Sequence, residues 1–294
     1  MRFIKDTNID FMKYRKIAFI ASSSLVLIGL ISFFLRGPAN FGIDFTGGTL
    51  VRYKFSESVN TGDVRNALAE AGLAKSTIQS YNAGKGVLIK TAGETRKEIQ
   101  TVINSKFVSF IPLVEEEITI GPVVGNLMKR QALIAVFFAL IGILIYTAWR
   151  FKFTFGFAAV ICLFHDVLFT VGIFSLARKE ISLSVVAALL TIVGYSLNDT
   201  IVVFDRIREN MKLSRHKHIP ETINASINQT LPRTIITSGT TLVPVLALLF
   251  LGGPVIKDFA FALAVGIVVG TYSSIYIASP LVIELSRLLK VKIH

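Results

Sequence analysis

Ala132 to Trp149 reads ALIAVFFALIGILIYTAW, a run without one charged side chain. At about 1.5 Å of rise per residue it is long enough to cross a bilayer's hydrocarbon layer of roughly 30 Å. Working outward, Ile17 to Leu35, Thr234 to Ile256 and Phe259 to Ile283 are equally uncharged. Phe153 to Ala177 and Ile181 to Phe204 are as apolar but carry His165, Asp166 and Asp199. The reading is six membrane spans, two of them holding groups that are costly to bury in lipid. A soluble globular domain is excluded for a chain of 294 residues that is 52% hydrophobic and 17% charged, with mean hydropathy +0.63.

The single cysteine, Cys162, excludes an intrachain disulfide framework and a cysteine-cluster metal site. The four histidines, His165, His216, His218 and His294, show no metal-ligand spacing, and no glycine-rich phosphate loop is present. No cofactor, metal or catalytic residue is therefore expected. A formal charge of +12 raises nucleic acid as a partner, but the placement of the cations argues otherwise. Of the Lys and Arg in short loops and tails, sixteen lie on the side of both termini and three (Arg178, Lys179, Lys257) on the other. The positive-inside rule then puts both termini in the cytoplasm. The first apolar run exceeds a signal-peptide core, and Phe33-Phe34-Leu35-Arg36 offers no small-residue cleavage site, so it reads as an uncleaved anchor.

Three regions follow: 1–35, cytoplasmic N-terminus and first span; 36–131, an extracytoplasmic domain; and 132–294, a five-helix bundle with a polar cytoplasmic loop at 205–232 and a cytoplasmic C-terminus. In the external region Thr49 to Phe55, Thr77 to Tyr81, Gly86 to Thr91 and Glu117 to Ile120 read as strands. Thr61 to Leu73 and Glu94 to Phe107 read as helices, and Ala83-Gly84-Lys85-Gly86 as a hairpin turn. The order β-α-β-β-α-β is that of a ferredoxin-like α+β domain. In the loop, the basic run Lys212 to His218 reads as a solvated connector.

On a helical projection of the fourth span, Ser184, Ala187, Ala188, Thr191, Gly194, Tyr195, Asn198, Asp199, Val202 and Asp205 share one small and polar sector. That sector is expected to pack on protein and the greasy remainder to face lipid. Asp199 at its edge is either a proton carrier or a buried cap for packing. In the fifth span Arg233, Thr237, Thr240, Thr241 and Pro244 share a face. Arg233 either pairs with Asp199 or snorkels to the cytoplasmic interface. His165 and Asp166, at the most costly depth, require partners inside the bundle, as hydrogen-bonding groups or as a relay. Ala262, Gly266, Gly270, Ser274 and Ala278 recur every four residues in the sixth span, a close-packing stripe.

These residues resemble the SecD/SecF family, within the RND superfamily of proton-driven membrane machines, and on the SecF side of it. The resemblance covers nearly the whole chain. It rests on Phe41-Gly42-Ile43-Asp44-Phe45-Thr46-Gly47-Gly48, on Gly121 to Gly125 (GPVVG), on His165-Asp166, on Tyr195 to Asn210 (YSLNDTIVVFDRIREN) and on Thr230 to Thr241 (TLPRTIITSGTT). It implies half of an RND-type bundle and a role in protein export driven by a proton or sodium gradient. SecD is the implied obligatory partner, with the SecYEG channel, the SecA motor, YajC, YidC, exported unfolded proteins and membrane lipid as further partners and no nucleic acid. It implies the bacterial inner membrane as the location. It also implies that Asp199 and Arg233 belong to the ion pathway, beside Thr237 and Asn198. Two rivals stay open: half of a small-molecule or lipid exporter, and a passive translocon scaffold that tolerates neutral substitution of Asp199 and Arg233.

Overall fold

A computed structural model of the chain describes residues 7–213 and 218–288. Its contacts divide the chain into two units, Phe41–Ile134, and Met1–Asn40 with Ala135–His294. Among the described residues six helical segments are long and apolar enough to span a membrane, which makes this a multi-pass membrane protein.

The first unit opens with a single helical turn, which follows helix α1 (Arg15–Arg36) in chain order and is called α2 (Ile43–Thr46). Strand β1 (Gly48–Lys54), helix α3 (Thr61–Glu70), strands β2 (Thr77–Tyr81) and β3 (Gly86–Thr91), helix α4 (Arg96–Lys106) and strand β4 (Leu113–Ile120) complete it. The sheet order is β2-β3-β1-β4 with every neighbour antiparallel, the expected ferredoxin-like arrangement. Alternation dictates the core: Val51, Tyr53, Val87 and Ile89 point to one face and meet Val64, Leu68, Ile99 and Ile103, spaced by three or four along α3 and α4.

Strand β4 begins four residues earlier than the expected Glu117. The run Glu115-Glu116-Glu117 breaks the apolar alternation by which a strand is recognised in sequence. In the fold Arg52 lies 2.5 Å from Glu116, Arg96 pairs with Glu117, and the Tyr81 hydroxyl donates to Glu115 at 2.6 Å. A register shift between Arg52 and Tyr53 accommodates the extra residue.

The glycine pair closes α2 and opens β1. Gly47 has φ +69° and Gly48 φ +126°, both disfavoured for residues with a Cβ. A Cβ on Gly48 would lie 2.3 Å from the Thr91 carbonyl oxygen across the β1–β3 ladder. A Cβ on Gly125 would lie 3.1 Å from the Gly47 nitrogen, so the FGIDFTGG and GPVVG segments touch.

The bundle comprises α1, α5 (Pro122–Arg150), α6 (Phe153–Leu176), α7 (Leu183–Leu213), α8 (Ile219–Leu251), α9 (Pro254–Ser273), a π-helical turn at Ser274–Ala278 and α10 (Ser279–Leu288). Helix α1 crosses α6 at Gly29 and Gly172, where a Cβ on either would fall within 3 Å of the other's Cα. Ser32 and Ser175 hydrogen-bond at 2.8 Å beside the crossing.

The expected connector at 205–232 is corrected here, because α7 runs on to Leu213 and α8 starts at Ile219, with Pro232 inside the helix. The physical reason is a second apolar stripe. Phe204, Ile207 and Met211 face Ile223, Ile227 and Leu231 in the bundle core. The N-terminal segment seals this hairpin: Asn228 exchanges two hydrogen bonds with the Ile9 backbone (2.9 and 2.8 Å), and Phe11 is buried edge-on against Tyr276. Most of the basic run, and with it His216, lies outside the described residues, as does His294. His218 is exposed just before α8.

Candidate functional site

Two buried carboxylates sit in the bundle, each satisfied by hydroxyls from other helices. Burying a charge in lipid is affordable only where protein groups replace its water. Asp199 on α7 is 2% exposed, and its Oδ2 accepts from Ser238 of α8 at 3.3 Å. Ser238 is 2.7 Å from Thr271 of α9, and the Thr271 hydroxyl also reaches the Ile267 carbonyl at 2.9 Å. The chain Asp199, Ser238, Thr271 thus links three helices through atoms that each carry one movable proton.

That chain has two internally consistent arrangements. With Asp199 ionised, Ser238 donates to it and Thr271 donates to Ser238. With Asp199 protonated, the carboxyl donates to Ser238, Ser238 to Thr271, and Thr271 to the Ile267 carbonyl. Gain or loss of one proton can therefore reverse the polarity of a hydroxyl pair bridging α8 and α9.

The second carboxylate, Asp166 on α6, is fully buried. Its Oδ2 accepts from Ser196 of α7 (2.5 Å) and Ser273 of α9 (2.8 Å), and its Oδ1 lies 2.9 Å from His165 Nδ1. His165 Nε2 in turn hydrogen-bonds Ser22 of α1. Adjacent side chains on a helix diverge by about 100°, yet the flexible imidazole bends back to its neighbour, which the sequence reading did not anticipate.

Arg233 makes no ion pair with Asp199 among the described residues. The side chain is exposed at the face of α8 that this chain leaves open. The Thr237 hydroxyl turns back to the Arg233 carbonyl at 2.9 Å. Thr234 and Ser238, one position round the helix, are buried where Arg233 and Thr237 are not. Sequence reasoning missed Ser238, Thr271, Ser196 and Ser273. The available signal was a hydroxyl on each helix at a depth matching a carboxylate.

Helix α7 buries within the chain the apolar side that was expected to face lipid, and leaves most of the small sector open. Ser184, Ala187, Thr191, Gly194 and Asn198 are exposed, whereas Val185, Ile192, Val193, Leu197, Val203 and Phe204 are buried. Ala188 and Asp199, at the border of the small sector, are buried with them. The apolar side finds α6 and α9 within the chain, and the small polar side is left without cover by it. A stripe of that kind in a membrane packs on protein rather than lipid. Ala262, Gly266, Gly270, Ser274 and Ala278 are all buried. A Cβ on Gly266 would meet Ile192 at 2.3 Å, and one on Gly270 would meet Ser196 at 3.0 Å, so α7 and α9 approach closely there.

Six spans, carboxylates buried on transmembrane helices and one small α+β domain define a transporter-type membrane protein. Comparison with known proteins gives the family. The description "Protein export membrane protein SecD/SecF, C-terminal" matches residues 103–288, and "SecD/SecF GG Motif" matches residues 32–59, around Gly47-Gly48. The protein translocase subunit SecF of Desulfurispirillum indicum is 47% identical, covering 94% of this chain and 91% of that protein. The SecDF subunit of Thermus thermophilus is 44% identical over 90% of this chain, which spans 37% of that longer protein. A crystal structure of SecDF from the same genus, titled a translocon-associated membrane protein, superposes with TM-score 0.88 at 42% identity, over 96% of this chain and 39% of that one. The chain belongs to the SecD/SecF family, as a SecF protein translocase subunit.

Proposed function

We propose that this subunit pairs with a SecD chain and couples ion movement through Asp199 to a conformational cycle that promotes protein export. The observation that carries the proposal is the hydroxyl chain from the buried carboxylate of Asp199 through Ser238 to Thr271, a chain in which a proton taken up by Asp199 can reverse the bridge between α8 and α9. The open face beside it supports a two-chain machine. Asn198, Thr191 and Gly194 on α7, with Arg233 and Thr240 on α8, are polar or small and uncovered, and the fused relative spans more than twice this chain's length. A SecD half lying there would complete the pathway, bringing Arg233 and Thr237 into it. The cation distribution supports cytoplasmic termini and an extracytoplasmic domain at the Phe41–Ile134 unit.

A proton falling through 100 mV supplies about 2.3 kcal/mol, enough to bias a swing between two packings. It is too little to unfold a stable substrate in one step.

The test is export of a signal-peptide-bearing reporter in cells lacking the native subunit, with wild type and Asp199→Asn at matched levels and SecD association confirmed. Export should fall at least tenfold with assembly intact. Unchanged export would make the chain a passive scaffold.

A further inference from the structure

The bundle holds a second polar cluster that the proposed ion path does not use. It gathers four helices on one carboxylate. Asp166 receives Ser196 from α7, Ser273 from α9 and His165 from its own helix, and His165 carries the connection to Ser22 of α1. All three serines are at most 2% exposed.

Position along the helices ties this cluster to Asp199. Ser196 lies one helical turn before Asp199 on α7. Ser273 lies two residues after Thr271 on α9, and Thr271 is the far end of the hydroxyl chain from Asp199. Between them α7 and α9 touch at Ile192 against Gly266 and Ser196 against Gly270, with no space for a methyl group at the first of these. Immediately after Ser273 the helix widens into the π turn Ser274–Ala278, where the Ser279 hydroxyl reaches back to the Ser274 carbonyl at 2.8 Å. A π turn is a local change of hydrogen-bond register, so α9 needs an anchor at that point to keep Thr271 at a defined height.

We propose that Asp166 is the positioning residue of the Asp199 site, fixing the register of α9 against α7 and so placing Thr271 and Ser238 opposite Asp199. The inference rests on the reading of Asp199 as the ion-carrying group. His165 orients the carboxylate: with the proton on Nδ1, Nε2 accepts from Ser22 and both Asp166 oxygens are free to accept. The titratable groups facing Asp166 are His165 and Cys162 of its own helix, while α1, α7 and α9 present hydroxyls. Asp199 is faced by Ser238 and, through it, Thr271.

Replacing Asp166 by asparagine keeps an oxygen for the two serines. The amide N–H then meets His165 Nδ1, which accepts after a tautomer change while Nε2–H donates to Ser22. Replacing it by alanine removes the anchor. The two variants separate positioning from charge.

The experiment is infrared difference spectroscopy between high and low pH on the full chain in complex with SecD, in lipid nanodiscs. The carbonyl stretch of protonated Asp199 is identified by its loss in Asp199→Asn. A carboxyl that loses hydrogen-bond partners absorbs at higher wavenumber. Asp166→Ala and Ser273→Ala should each move the Asp199 band upward, and Asp166→Asn should leave it near the wild-type position. A band at the wild-type position in folded Asp166→Ala overturns the inference. Should Asp166→Ala fail to assemble, Ser273→Ala decides in the same way, because it removes one hydroxyl and leaves Asp199, Ser238 and Thr271 in place. The absence of any Asp199-dependent band in wild type refutes the ion-carrier reading itself, and the inference falls with it.

Discussion

Replacing Gly48 by alanine should cost the external unit about 2–4 kcal/mol, and the figure follows from two separate obstacles. Its φ of +126° is a region that L residues enter only at about 1–3 kcal/mol. The new Cβ would also sit 2.3 Å from the Thr91 carbonyl oxygen. No flexible side chain can yield there, so the first pair of the β1–β3 ladder, Thr49 with Thr91, must open at about 0.5–1.5 kcal/mol per hydrogen bond. Gly93 is the control, with φ +80° and nothing within 4 Å of its Cβ position, so its alanine bears only the left-handed penalty of about 1–2 kcal/mol. Gly47 is intermediate, with φ +69° and backbone atoms of Ile120 and Pro122 at 3.3 Å. The assay is amide hydrogen exchange of the fully buried strand residues Val51 and Ile89 in the intact protein in nanodiscs, which reads the opening free energy of the unit. At tenfold per 1.4 kcal/mol, Gly48→Ala should speed exchange about 30- to 700-fold and Gly93→Ala about five- to thirtyfold. If the two alanines accelerate exchange equally, the backbone clash is not what the glycine avoids and the reasoning fails.

Tyr53 is fully buried, and its phenol is pushed up from 10.0 to about 12, first by burial and then by the charge of Glu117. Because the folded-state value is the higher one, its contribution to stability is complete below pH 10 and is lost as pH rises through about 12. Denaturation of wild type and Tyr53→Phe across that window should show the shallower loss in the phenylalanine variant, and identical slopes would contradict the burial argument. At the α1–α6 crossing, Gly29→Ala would place a methyl 2.5 Å from the Gly172 Cα, so the helices must part at a cost of about 1–3 kcal/mol. The yield of a disulfide between Ser32→Cys and Ser175→Cys should fall in that background, and an unchanged yield would show that the crossing tolerates the extra carbon.

Reading along the chain and folding it recover different things. The spans, the alternation of β1, β2 and β3 and the helical periodicity of α3 and α4 are local patterns, set by whether each successive side chain meets water, lipid or core. They were legible without coordinates, as were the motifs that give the family. What failed had a common cause, the dependence of a residue's meaning on a partner distant in sequence. Glu115 and Glu116 lie outside the expected strand until Tyr81 and Arg52 are found beside them. The stretch 205–232 is a polar connector until Ile223, Ile227 and Leu231 find Phe204, Ile207 and Met211. Asp199 and Asp166 could be recognised as costly groups from composition alone, because a carboxylate in hydrocarbon is expensive whatever surrounds it. Which hydroxyls satisfy them was decided only by the crossing of α6, α7, α8 and α9. The direction in which α7 turns its polar stripe was decided there too, since projection onto a helix gives the angle between faces but only packing says which face meets which neighbour.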